Sequence, residues 1–139
     1  KKGRYIDEVD AMDHVAGYTI SNDVTARTDW PGPMAYKLMD TFSPCGPGIV
    51  PTDQVGNVSS LEMTLHQNEE CICRGSTASM RFSLPLLISY LSSILELRPG
   101  DLIAMGDPGG VQSGLVVGKT IKASIEEIGE LKNTIEISE

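Results

Sequence analysis

Asp23 and Arg27 stand four residues apart in Ser21-Asn22-Asp23-Val24-Thr25-Ala26-Arg27, at the end of a β-branched run. A carboxylate at a strand end facing a loop offers the oxygen ligands that hard cations such as Mg2+ and Ca2+ prefer. The structural alternative is that Asp23 caps a turn and pairs with Arg27. Lys37 lies in an irregular stretch, where an ammonium can polarise a carbonyl or neutralise an enolate. It can equally be a solvated surface charge that balances Asp40, as Arg27 can balance Asp29. A second candidate is the loop Gly106-Asp107-Pro108-Gly109-Gly110, whose glycines let backbone N–H groups approach an anionic ligand. The same residues also make a plain turn.

The remaining reactive side chains suggest less. His14 and His66 have no Ser/Asp or Cys partner pattern nearby, so a hydrolytic triad has no support. Glu69-Glu70 and Glu126-Glu127 read as solvated charges at hairpin turns. Cys45, Cys71 and Cys73 are an odd set without disulfide density. Cys71 and Cys73, two apart, share one face of a regular strand, and with Cys45 in a Pro/Gly turn the spacing does not make a zinc site. Reduced thiols are the expectation.

The elements that position these residues follow from periodicity and punctuation. Asp7 to Val15 (DEVDAMDHV) reads as a short helix, with Asp7 as N-cap and Gly17 beyond its end. Tyr18 to Thr25 reads as a strand. Thr28 to Gly48 is rich in turn formers, with one helical turn expected at Ala35 to Met39. Long irregular stretches of this kind are often functional. Leu61 to His66 and Glu70 to Arg74 form a hairpin about Gln67-Asn68-Glu69. Leu84 to Leu95 is the clearest helix, with Ser83 as N-cap, Pro85 in its first turn and an apolar stripe of Leu87, Ile88, Leu91, Ile94 and Leu95. Leu102 to Met105 reads as a strand, and Lys119 to Glu127 with Leu131 to Ile137 as a closing hairpin about Ile128-Gly129-Glu130. The fold class is mainly β with two short helices.

Composition narrows the function classes. The 139 residues carry a net charge of −8, with 40% hydrophobic and 22% charged residues, as in an ordinary globular domain. An acidic chain lacks the basic face that nucleic acid requires. The most apolar run, Leu84 to Leu91, is too short and interrupted to span a membrane. The sequence begins abruptly at Lys-Lys-Gly-Arg, which reads as a partial chain.

Taken in order, five blocks resemble the fumarylacetoacetate hydrolase family. They are Ala11 to Arg27 (AMDHVAGYTISNDVTAR), Lys37 to Val50 (KLMDTFSPCGPGIV), Thr77 to Phe82 (TASMRF), Leu97 to Val111 (LRPGDLIAMGDPGGV) and Ile128 to Asn133 (IGELKN). The resemblance implies rolled, packed β-sheets, incomplete at the N-terminus, in a cytoplasmic homodimer. It implies a divalent metal held by three carboxylates, Mg2+ first, with Mn2+ or Ca2+ as alternatives. The implied substrate is a small anionic 2-oxo acid or acylpyruvate. Its C–C hydrolysis, decarboxylation or isomerisation would pass through an enolate that the metal stabilises.

By position, the resemblance makes Asp23 the third metal carboxylate, Arg27 a substrate-contacting arginine and Lys37 the lysine that polarises the oxo group. Thr41 falls in the metal-site environment, and Gly106 and Asp107 in a substrate loop. The sequence also departs from the family. The Glu-x-Glu ligand pair and the His/Glu pair of an N-terminal lid are not matched, and the stretch from Arg27 to Lys37 is short. Met105-Gly106-Asp107-Pro108 replaces Thr-Gly-Thr-Pro, placing a negative charge where a carboxylated substrate binds. The expectation is a catalytic-domain portion lacking its N-terminal segment and weak or inactive alone. The alternative is a non-catalytic binding or assembly module of the same fold.

Overall fold

The computed structural model describes residues 1–26, 37–107, 109–110 and 114–137. Among these, the strands are β1 (Gly17–Ser21), β2 (Cys45–Pro51), β3 (Glu62–Gln67), β4 (Glu70–Ser76), β5 (Thr120–Ile125) and β6 (Gly129–Thr134). One α-helix, α1 (Leu84–Ile94), and a seven-residue 3-10 helix (Glu8–His14) accompany them, with three single-turn 3-10 segments. β1 and β2 pair antiparallel in a two-stranded sheet, and the second sheet has the order β4-β3-β5-β6, antiparallel throughout. The small sheet packs on the β5–β6 side of the larger one. Ile20 of β1 and Ile121 of β5 are among the most completely buried side chains.

α1 begins as expected: the Ser83 Oγ accepts the Leu86 N–H at 3.3 Å and Pro85 occupies the first turn. Its buried face differs from the apolar stripe. Ile88 and Ser92 are buried, whereas Ile94 and Leu95 are largely exposed. Ile88 joins Ile6, Ala11 and Leu97 in the core, with Val15, Leu91 and Ile103 packed around them. Ser92 is inside because the N-terminal segment needs it. Its Oγ accepts the buried Ile6 N–H at 2.9 Å and donates to the Ser89 carbonyl at 2.9 Å.

Several expectations are corrected. The first helix is 3-10, and Asp7 makes no side-chain cap. β1 stops at Ser21, short of Asp23, and Cys45 opens strand β2 where a turn was expected. Leu102 to Met105 forms no strand. Among the described residues that segment finds no ladder, and Asp101 folds back so that its Oδ2 accepts the Arg98 N–H at 2.7 Å. The closing turn lies at Glu126–Ile128 rather than at Ile128–Glu130. Glu127 adopts a φ of 61° there while its Oε2 accepts the Gly56 N–H at 2.6 Å. Glu126 accepts the Glu62 N–H at 3.0 Å, so both glutamates tie loops rather than merely meeting solvent. In β4 a bulge sets Leu65 opposite Cys73 and His66 opposite Cys71. It breaks the two-residue alternation, leaving Cys71 exposed and Cys73 buried. The helical turn expected at Ala35 to Met39 lies partly outside the described residues.

Candidate active site

Asp23 stands just past β1, where the chain has stopped forming strand but is still fastened to the residues before β2. The Asn22 N–H donates to the Pro44 carbonyl and the Val24 N–H to the Phe42 carbonyl, each at 3.0 Å. These two links bracket Asp23 and hold its backbone against the 42–44 segment. That segment reverses sharply at Thr41, whose φ of 69° is a conformation uncommon for a β-branched residue. The reversal brings Lys37 back over β1's end.

The Lys37 ammonium donates to the Asp23 Oδ2 and, at 3.0 Å, to the Thr25 Oγ1. Thr25 in turn donates to the Asp23 carbonyl at 3.3 Å. Asp23, Thr25 and Lys37 therefore form one cluster, with the Asp23 side chain 56% exposed and that of Lys37 42% exposed. Lys37 pairs with Asp23, not with Asp40 as the surface reading would have it. Beside the cluster lies an open depression of about 520 Å3, lined by the 37–44 segment and by Asn133 from β6. Thr41 is part of that lining. Thr25 and Asn133 were not singled out by sequence. The Asp-x-Thr spacing was a signal for the first; for the second the signal was alternation, since Asn133 shares the half-buried face of Leu131 in a strand expected from the sequence. Arg27 and Asp29 lie outside the described residues.

The glycine loop forms a separate constellation. Asp107 Oδ1 accepts the Gly109 N–H at 2.8 Å and the Gly110 N–H at 3.3 Å. Cys73 Sγ donates to the same oxygen at 3.6 Å. The N–H groups expected to greet an external anion are thus engaged by the loop's own carboxylate. Gly106 has a φ of 99°, which only glycine adopts readily. Gly109 has no room for a side chain, since a Cβ would sit 2.6 Å from Cys73 Sγ and 2.7 Å from the Arg74 carbonyl oxygen. Burial, followed by the adjacent Asp107 charge and its hydrogen bond, pushes the Cys73 thiol up to about 11.

Asp23 offers one hard carboxylate oxygen pair beside a cation. Among the described residues no group of three or more His, Cys, Asp or Glu is placed to hold a metal ion. Asp23 therefore fits one donor position of a divalent site and not a complete site. No described helix is long and apolar enough to cross a membrane.

The Asp23–Thr25–Lys37 cluster stands at the edge of two packed antiparallel sheets, and comparison places the chain in a family. The family model described as Fumarylacetoacetate (FAA) hydrolase C-terminal matches residues 1–136, and the chain belongs to that family. The 4-hydroxyphenylacetate degradation bifunctional isomerase/decarboxylase of Salmonella dublin is 39% identical over 139 residues, covering 97% of this chain and 32% of that protein. A mitochondrial oxaloacetate tautomerase of Homo sapiens is 36% identical over 147 residues, covering 97% of this chain and 46% of its own length. Among solved structures, maleylpyruvate hydrolase from Sphingobium sp. SYK-6, in complex with manganese(II) and pyruvate, superposes with a TM-score of 0.91 at 32% identity. It is matched over 100% of this chain and 51% of that one. The chain thus spans between a third and a half of the length of these relatives.

Proposed function

We propose that this chain is the C-terminal catalytic portion of a metal-dependent enzyme acting on a small 2-oxo acid or acylpyruvate. The reaction would be C–C hydrolysis, decarboxylation or isomerisation. The observation that carries the reading is the Lys37–Asp23–Thr25 cluster beside the depression. A lysine with three donors, only part of them taken up by Asp23 and Thr25, can also hold an anionic oxygen. On a chain of net charge −8 this local cation is what attracts an anionic ligand.

Asp23 would be this chain's ligand to a divalent metal, which supplies Lewis-acid polarisation of a 2-oxo oxygen when bound. The remaining donors belong, by the family resemblance, to a Glu-x-Glu pair that these 139 residues do not match. Lys37 holds Asp23 in position and stabilises negative charge that develops on the substrate oxygen. Thr25 fixes the direction of the Lys37 ammonium. Arg27 would meet the substrate carboxylate and Thr41 the metal-site environment. Gly106 and Asp107 would belong to the substrate loop that the family resemblance implies, with Asp107 holding that loop's shape. The form proposed is a cytoplasmic homodimer using Mg2+; Mn(II) is the ion named with the SYK-6 enzyme, and Ca2+ is a further possibility.

The test is Lys37→Met in the intact protein, assayed with oxaloacetate and with an acylpyruvate. Loss of one preorganised charged donor should lower turnover by about 100-fold or more. Turnover unchanged on a substrate that the wild type converts overturns the assignment.

A further inference from the structure

An apolar groove of about 420 Å3 is lined jointly by Leu91, Leu95 and Leu97 and, beyond the 98–101 turn, by Leu102, Ile103 and Ala104. Its one ionisable lining residue among those described is Asp101, whose Oδ2 already accepts the Arg98 N–H at 2.7 Å. The groove therefore suits an apolar occupant rather than a charged one. Burial alternates from Leu102 to Met105: Ile103 and Met105 are half-buried, whereas Leu102 and Ala104 are exposed, Leu102 at 60%. Ile103 packs on the core of Ile6, Ala11, Ile88 and Leu97. A strand covered on one face turns polar residues outward, and a run that is apolar on both faces is typical of one covered on both. Here the second face, Leu102 and Ala104, continues into the exposed Leu95 across the groove.

The first residues of the chain arrive at this groove. Gly3 and Leu97 exchange both backbone hydrogen bonds at 2.9 Å. Lys1 is thus two residues, at most about 7 Å of chain, from a partner of groove-lining Leu97. The match to maleylpyruvate hydrolase takes in all of this chain and 51% of that one, so the similar enzyme carries about as much chain again.

We propose that the groove seats an apolar segment of the same polypeptide, the stretch directly preceding Lys1 in the intact protein, which covers Leu95, Leu102 and Ala104. The inference rests on reading this chain as the C-terminal portion of a longer protein. Met105 leads directly into Gly106 and Asp107, so the seated segment also steadies the stem of the glycine loop.

The experiment is photocrosslinking of the intact protein carrying Leu102→p-benzoylphenylalanine, with the joined peptides identified by mass spectrometry. Leu102 is exposed enough to accept the probe, and Leu95→p-benzoylphenylalanine serves as a second position if the first variant does not fold. A mixture of isotopically heavy and light protein separates links within one polypeptide from links between copies. The expected product joins the probe to a peptide that precedes Lys1 in the same polypeptide. Products that join it only to residues 1–139, or a heavy–light product that marks a second copy, overturn the assignment of the groove and leave the proposed function standing. Absence of any product from both positions overturns that assignment as well. An intact protein whose first residue is Lys1 overturns the reading as a C-terminal portion, and this inference with it.

Discussion

Alkaline pH should loosen this fold through one thiol. Cys73 is 8% exposed and donates to Asp107 Oδ1 at 3.6 Å. Burial first, then the Asp107 charge, raise its pKa from 9.0 to about 11. Between those values the folded chain keeps a proton that the unfolded chain releases. The stabilisation is therefore complete below pH 9 and is lost as pH climbs towards 11. Two pH units correspond to an upper limit of about 2.7 kcal/mol. Because Asp107 is itself exposed, water screens its share and the expected loss is about 1–2 kcal/mol. Urea unfolding of wild type and Cys73→Ala at pH 7.5, 9, 10 and 11 isolates this term, since the lysines and tyrosines titrate in both proteins. The wild-type advantage should shrink over that range. A thiol reagent at pH 9 should label the exposed Cys45 and Cys71 quickly and Cys73 slowly. A constant difference between the two proteins, or equal labelling of all three thiols, would refute the reasoning.

Ser92→Ala should lower stability by about 1–3 kcal/mol, measured by urea or thermal unfolding, because it strands the buried Ile6 N–H. Lys37→Met, by contrast, should change stability by no more than about 1 kcal/mol in the same measurement. Its ion pair with Asp23 is about half exposed on both sides, and such pairs contribute little.

The parts legible in the sequence were those with local causes. The Ser83 cap and Pro85 announced α1, and alternating Leu61, Met63 and Leu65 announced β3. β2 was hidden because Cys45-Gly46-Pro47-Gly48 has little strand propensity; pairing with β1 imposes the extended form. Leu102 to Met105 shows the reverse, a strand-like pattern with no ladder partner among the described residues. The bulge at Ile72 turned two cysteines expected on one face into one exposed and one buried. Ser92 looked like a polar interruption of the α1 stripe until the Ile6 amide supplied its partner. Within the candidate site, Asp23 and Lys37 were visible as residue types, but their contact depends on the reversal at Thr41 and on the backbone links from 22–24 to 42–44. The Asp107 hydrogen bonds follow from its own loop, and no spacing rule distinguished them from an open anion site.

Asp23 as a metal carboxylate is the step on which the proposed chemistry depends. Mn2+ binding to the intact protein, followed by electron paramagnetic resonance or calorimetry, measures it without reference to any substrate. Asp23→Ala should weaken Mn2+ binding by at least about tenfold while the protein stays folded. Equal Mn2+ affinity in Asp23→Ala and wild type would contradict it.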